Sequence, residues 1–129
     1  HDARRKNFAA LTEIFAPFEK YFHLPKATDK SDPSWFAYLL TIKPDAPFTR
    51  QELVDHFEEA MIQTRSYFSG NILYHPGYQH LAEPYDDMSA TFPVAHLVTT
   101  NSMFLGTYAG ITDDKLEYIK KTVLEFFGD

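Results

Sequence analysis

Apolar residues near the start of the chain recur at steps of three and four: Phe8, Leu11, Phe15, Phe18 and Phe22. Such spacing lines one face of a helix. Pro17 limits that helix, because an interior proline removes a donor and clashes with the preceding turn. The pattern predicts a helix from about residue 2 to about residue 16, with Arg4, Arg5 and Lys6 as its solvated first turn. HLPKATDKSDPS, residues 23–34, reads as a polar, proline-punctuated connection. WFAYLLTI, residues 35–42, is nearly unbroken apolar and aromatic, which predicts a strand buried on both faces. KPDAP then makes a turn.

The next helix carries its own start signal. Thr49 and Glu52 form a T-x-x-E capping box, and Phe48 is placed to staple against Leu53. Leu53, Val54, Phe57 and Met61 form the expected inward stripe, followed by a short strand within residues 61–68. Residues 76–90 read as irregular and polar. VAHLVTTN, after Pro93, reads as a short helix and residues 103–108 as a third strand. ITDDKLEYIKKTVLEFF closes the chain as an amphipathic helix with Thr112 as N-cap, and Leu116, Ile119, Val123 and Phe127 facing inward. The order predicts one α/β domain, residues 1–129, with helices packed on a sheet of about three strands.

Composition sharpens this picture in three places. Aromatic residues make up 16% of the chain, including 8 Tyr and 12 Phe, more ring surface than a three-stranded core needs. Part of that surplus is therefore expected at an interface. The 12 basic and 18 acidic residues give a net charge of −6, which disfavours nucleic acid and anionic membranes as partners. Cysteine is absent, so disulfides, thiolate catalysis and cysteine-held clusters cannot arise from this chain. No apolar run approaches the roughly 18 to 20 residues needed to cross a bilayer, and HDARRKNF carries no signal-peptide apolar region. A cytoplasmic location is expected.

No self-contained active site can be assembled from the residues. His75 and His80 lie across a proline and a glycine and lack the spacing that sets two imidazoles on one helical face, so no metal site is expected. His23, His56 and His96 read as surface or boundary residues, and Asp86 and Asp87 as a solvated pair. No serine sits in a nucleophile elbow and no phosphate-binding glycine motif is present. The stretch TRSYFSGNILYHP, residues 64–76, is different. It gathers Arg65, Ser69, Gly70, Asn71, Tyr74 and His75 within eleven positions. An arginine beside a glycine-containing loop can set a guanidinium fork against a phosphate or carboxylate, and an asparagine can address a sugar hydroxyl. On the residues alone, ligand contact and surface hydrogen bonding remain equal readings.

Beyond these residues, the segments SDPSWFAYLLTIK, TRSYFSGN and FLGTYAGIT resemble the C-terminal domain of fold-type I pyridoxal-phosphate enzymes. The resembling family is the sugar-nucleotide aminotransferases and their dehydratase relatives, above all the nucleotide-linked 4-keto-6-deoxyhexose 3-dehydratases of deoxysugar and lipopolysaccharide synthesis. Residues 77–95 carry the likeness least. The resemblance implies an α/β (α+β) two-layer sandwich with a largely antiparallel sheet, forming the small domain of a longer enzyme. The start without methionine fits a piece of a longer protein. The N-terminal cofactor domain would be this chain's partner, and the full-length enzyme a homodimer acting on a nucleotide sugar.

Pyridoxal or pyridoxamine phosphate would belong to the full-length enzyme, with none expected on this piece. Its base, a lysine in aminotransferases and a histidine in these dehydratases, would lie in the missing domain, so no catalytic residue is assigned here. By position, Arg65 and Asn71 would line the cofactor–substrate cleft, with Ser69 and Gly70 shaping the loop. Tyr74 stands where the family brings a second arginine, with His75 beside it, so a second permanent cation is not carried over. A sugar-nucleotide aminotransferase is the alternative within the family, and a non-catalytic α/β binding module the alternative outside it.

Overall fold

The computed structural model describes residues 1–128. Its helices are α1 (Asp2–Phe15), α2 (Arg50–Glu59), the single turns α3 (Gln79–Ala82) and α4 (Met88–Thr91), α5 (Pro93–Asn101) and α6 (Asp113–Phe127). Its strands are β1 (Phe22–His23), β2 (Ala37–Ile42), β3 (Thr64–Ser66) and β4 (Ser102–Gly106). The strands form one antiparallel sheet in the order β1-β2-β4-β3. Four strands replace the expected three. The additional one, β1, is only two residues long and carries no pattern of its own.

The predicted first helix ends on time but not in the predicted way. After Phe15 the chain tightens into a 3-10 turn, Ala16–Tyr21, with Pro17 in its first turn, where a missing N–H costs nothing. Phe18 therefore reaches the core from that turn and Phe22 from β1, so the helical stripe stops at Phe15. In β2 the two-residue period decides burial. Tyr38, Leu40 and Ile42 are buried, with Tyr38 opposite Leu105 and Leu40 opposite Met103 on β4. Ala37 and Leu39 on the other face are only half-buried, and Phe36 just before them is 61% exposed. The strand is not buried along both faces as its apolar run predicts: on the second face only Thr41, against Ser102, is buried, because the core helices cover the other side of the sheet.

That core joins Leu11 and Phe15 of α1, Leu53 and Phe57 of α2, and Leu116, Ile119 and Val123 of α6 to the inward rows of β2 and β4. Much of the aromatic surplus lies here, with Phe127 stacked on Phe18 at 4.0 Å and Phe8 on Trp35 at 4.7 Å. The α2 capping box forms as predicted: Thr49 Oγ1 accepts from Glu52 N–H at 3.2 Å, and Thr49 N–H donates to the Glu52 carboxylate at 2.6 Å. Thr112 precedes α6, but its hydroxyl turns to the Asp114 carboxylate instead of capping a backbone N–H. Buried Asn7 donates to the carbonyls of Tyr108 at 2.9 Å and Ile111 at 3.2 Å, tying the β4–α6 turn to α1.

Between β3 and β4 the chain makes an excursion with little burial. Residues 76–90, read as irregular, hold the 3-10 turn Pro76–Tyr78 together with α3 and α4. Of these, α4 carries a side-chain cap: Asp87 accepts from the backbone of Ser89 and Ala90. α5 then lies against β2 and β4 without adding a residue to the core.

Candidate functional site

The site begins where α2 ends. Glu58 Oε1 accepts from Thr64 N–H at 2.6 Å and from the Thr64 hydroxyl at 2.7 Å, fixing the first residue of β3 to the helix. The Thr64 hydroxyl and backbone, with the Arg65 guanidinium beyond them, hold the Glu58 carboxyl below its ordinary range. With Thr64 pinned inward, alternation turns Arg65 outward, opposite Phe104 on β4. Arg65 is exposed on an edge strand and lies between two cavities. One is an aromatic groove of about 580 Å³ that includes Phe36, Phe68 and Phe104. The other, of about 300 Å³, is shared with Arg50, Gln51 and Ser66.

Past β3 the loop is fixed by α5. Gly70 has φ +57°, and a Cβ there would meet Thr99 Oγ1 at 2.5 Å, so the position excludes any side chain twice over. The close approach that glycine permits is thus made by the protein's own helix. Asn71 N–H donates to Thr99 Oγ1 at 2.6 Å, and Asn71 Oδ1 accepts from Leu73 N–H at 3.1 Å. Asn71 is only 7% exposed, and its Nδ2 is buried without a hydrogen-bond partner. In this structure the carboxamide supports the loop from beneath and does not stand beside Arg65 in the groove.

Ser69, Gly70, Tyr74 and His75 do converge, in a pocket of about 290 Å³ that also takes in Arg50, Ser66 and Thr99. His75 Nε2 lies 2.7 Å from the Ser69 carbonyl, which can only accept, so that nitrogen carries a proton. The Tyr74 hydroxyl lies 2.5 Å from His96 Nδ1, leaving Tyr74 engaged with its own chain. Asp87 is held below its ordinary range, first by the Ser89 hydroxyl, then by the backbone of Ala90 and Ser89, with His96 adding to the effect.

Arg50 is the residue the sequence reading passed over. It borders both smaller cavities, donates to Ser66 Oγ at 3.3 Å, and has no carboxylate within ion-pair distance among the described residues. A cation in the first turn of a capped helix, against the dipole, was the available signal. The basic cluster at the N-terminus is spent differently: Arg5 pairs with Asp32 at 2.9 Å and Lys6 with Asp113 at 2.6 Å.

Two guanidinium groups beside hydroxyls and exposed rings can take an anion attached to a flat or apolar body. A phosphorylated aromatic cofactor or a nucleotide diphosphate fits that donor set. Among the described residues no three His, Asp or Glu side chains converge to hold a metal.

Residues 1–124 match the DegT/DnrJ/EryC1/StrS aminotransferase family. The chain is 38% identical over 124 residues to a dTDP-4-dehydro-2,6-dideoxy-D-glucose 3-dehydratase of Saccharopolyspora spinosa, covering 96% of this chain and 26% of that protein. It is 32% identical over 127 residues to the lipopolysaccharide biosynthesis protein RfbH of Salmonella typhimurium, covering 98% and 28%. In fold it resembles an E. coli GDP-4-keto-6-deoxy-D-mannose-3-dehydratase with bound hydrated PLP, at a TM-score of 0.73 and 22% identity over 95% of this chain and 30% of that one. An aminotransferase from Psychrobacter cryohalolentis gives a TM-score of 0.83 at 12% identity, over 98% and 34%. The chain thus spans little more than a quarter of the length of the curated relatives it matches.

Proposed function

This chain belongs to the DegT/DnrJ/EryC1/StrS aminotransferase family, and on that premise we propose that it is the C-terminal substrate-cleft domain of a longer pyridoxal-phosphate-dependent enzyme. The substrate is a nucleotide-linked 4-keto-6-deoxyhexose, and the reaction is removal of its C3 hydroxyl. The observation that carries the choice of reaction is the 38% identity over 96% of the chain to a 3-dehydratase. The bound cofactor supplies the electron sink for that step.

The part played by this chain is to bind and orient. Arg65, exposed on the edge strand, presents its fork to a phosphate or sugar oxygen. Ser69, Gly70, Tyr74 and His75 form the adjoining wall, while the neighbouring rings keep water from the cleft. Asn71 sets the loop, and its unpartnered Nδ2 is the atom a hexose hydroxyl would satisfy once the loop opens around it. The whole enzyme is a cytoplasmic homodimer in this reading; among the described residues no helix is long and apolar enough to cross a membrane.

The test uses the full-length enzyme loaded with pyridoxamine phosphate and offered dTDP- and GDP-linked 4-keto-6-deoxyhexoses. Mass spectrometry is expected to show a sugar lighter by one oxygen atom, its C3 hydroxyl replaced by hydrogen, with the pyridoxamine phosphate supplied converted to pyridoxal phosphate and ammonia released. Transfer of an amino group from glutamate instead would make the enzyme an aminotransferase. Arg65→Gln should raise KM by about ten- to hundredfold with kcat little changed, the loss of one charged hydrogen-bonding group. An unchanged KM would remove Arg65 from the cleft.

A further inference from the structure

Arg50 and Arg65 reach one small cavity from two different elements. Arg50 is the first residue of α2 and Arg65 the middle residue of β3, and both border the cavity of about 300 Å³. Arg50 also borders the neighbouring cavity of about 290 Å³, with Ser69, Tyr74 and His75. Ser66 lines both cavities, and its hydroxyl accepts from Arg50 at 3.3 Å. One guanidinium therefore stands at the junction of the two cavities, and the other in the first but not the second.

Neither cation is neutralised by its surroundings. Among the described residues no carboxylate lies within ion-pair distance of either guanidinium. The carboxylates on α2 are engaged elsewhere: Glu52 by the backbone and hydroxyl of Thr49, Asp55 by Gln51, and Glu58 by Thr64. Glu58 does feel Arg65, but as the least of the influences on its carboxyl. Two like charges bordering one small cavity repel each other, and Arg50 also opposes the positive end of the α2 dipole. A bound anion removes both costs.

The layout selects among anions. A guanidinium fork takes phosphate oxygens through paired N–H donors. A single phosphate satisfies one such fork and leaves the other cation open, whereas two linked phosphates match adjoining cavities with a guanidinium at their junction. We propose that Arg50 is a specificity-determining residue that holds one phosphate of the substrate's diphosphate while Arg65 holds the other. The pair thereby favours a nucleotide-linked sugar over a sugar monophosphate, and over the cofactor with its one phosphate. This inference rests on the reading of the substrate as a nucleotide-linked sugar, and it adds Arg50 to the residues that read it.

Binding titrations on the full-length enzyme with its cofactor bound test it, using dTDP and dTMP, or GDP and GMP if the enzyme prefers guanine. The parent should bind the diphosphate at least about tenfold more tightly than the monophosphate, and equal binding would overturn the inference. Arg50→Gln and Arg65→Gln should each weaken the diphosphate by about ten- to hundredfold, the worth of one charged hydrogen-bonding group. The monophosphate should be weakened by only one of the two variants, whichever removes the guanidinium that holds the phosphate next to the nucleoside. Unchanged diphosphate binding in Arg50→Gln would leave Arg50 as a tie between α2 and Ser66 and overturn the inference. So would a monophosphate weakened by both variants or by neither, since the two cations would then share one phosphate. If near-ultraviolet dichroism shows Arg50→Gln to be misfolded, Arg50→Lys replaces it; the charge without the fork should give a smaller loss in the same pattern. Titration needs no turnover, so the two readings fail separately. The expected pattern in an enzyme that transaminates would support the diphosphate clamp and refute the dehydration. A dehydratase whose Arg50→Gln variant binds the diphosphate normally would do the reverse.

Discussion

At the scale of single residues, the loop after β3 owes its shape to fitted positions more than to reactive ones. Gly70 combines a left-handed φ with contact distances to Thr99 that no Cβ can meet. Gly70→Ala is therefore expected to destabilise the chain by about 1–3 kcal/mol, read from the denaturant midpoint. Tyr38 points the other way. It is fully buried, and its hydroxyl makes no well-formed hydrogen bond: the Thr12 hydroxyl lies close enough to act on it but donates to the Phe8 carbonyl. Removing a buried polar atom that has no partner relieves a desolvation cost. Tyr38→Phe should accordingly leave stability unchanged or raise it, and a loss above about 1 kcal/mol would mean that the hydroxyl finds a partner in solution.

At the scale of elements, the link between α2 and β3 is electrostatic and local. Glu58 ionises more readily in the folded chain because Thr64 donates to it twice and Arg65 lies near. A carboxyl whose folded pKa is depressed contributes stability above its unfolded value and loses that contribution as pH falls through the folded one. The Glu58 contribution is thus complete at neutral pH and disappears on acidification through and below the ordinary glutamate range. Glu58→Gln should flatten that part of the stability–pH profile, as followed by urea titrations at several pH values, while leaving the neutral-to-alkaline part parallel to the parent. The same helix is set at its other end by Thr49, and Thr49→Ala is expected to cost about 1 kcal/mol, the usual worth of an N-cap.

At the scale of the whole molecule, one core serves three helices and the sheet, so distant substitutions should weaken a single transition. Leu11→Ala in α1 and Leu105→Ala in β4 remove fully or almost fully buried side chains. Each is expected to cost about 2–5 kcal/mol, with near- and far-UV dichroism lost together. Val94→Ala, on exposed surface of the excursion between β3 and β4, should change stability by less than about 0.5 kcal/mol.

What the chain reveals by itself is whatever depends on neighbours a few positions away. Helical stripes, the Thr49–Glu52 box, the stop at Pro17 and the polar loop around Gly70 all follow from local spacing and backbone chemistry. The family likeness rests on the same continuous stretches. What only tertiary structure decided depends on partners far along the chain. β1 exists because Phe22 and His23 find Ile42 and Thr41, not because of any pattern of their own. Phe36 is exposed because the core helices cover one side of the sheet, a fact absent from the letters WFAYLLTI. Asn71 turns inward because Thr99, 28 residues on, takes its N–H, and Arg50 joins Arg65 because β3 returns past the start of α2. Periodicity records which side chains share a face, but the chain's long-range closure determines which face is covered.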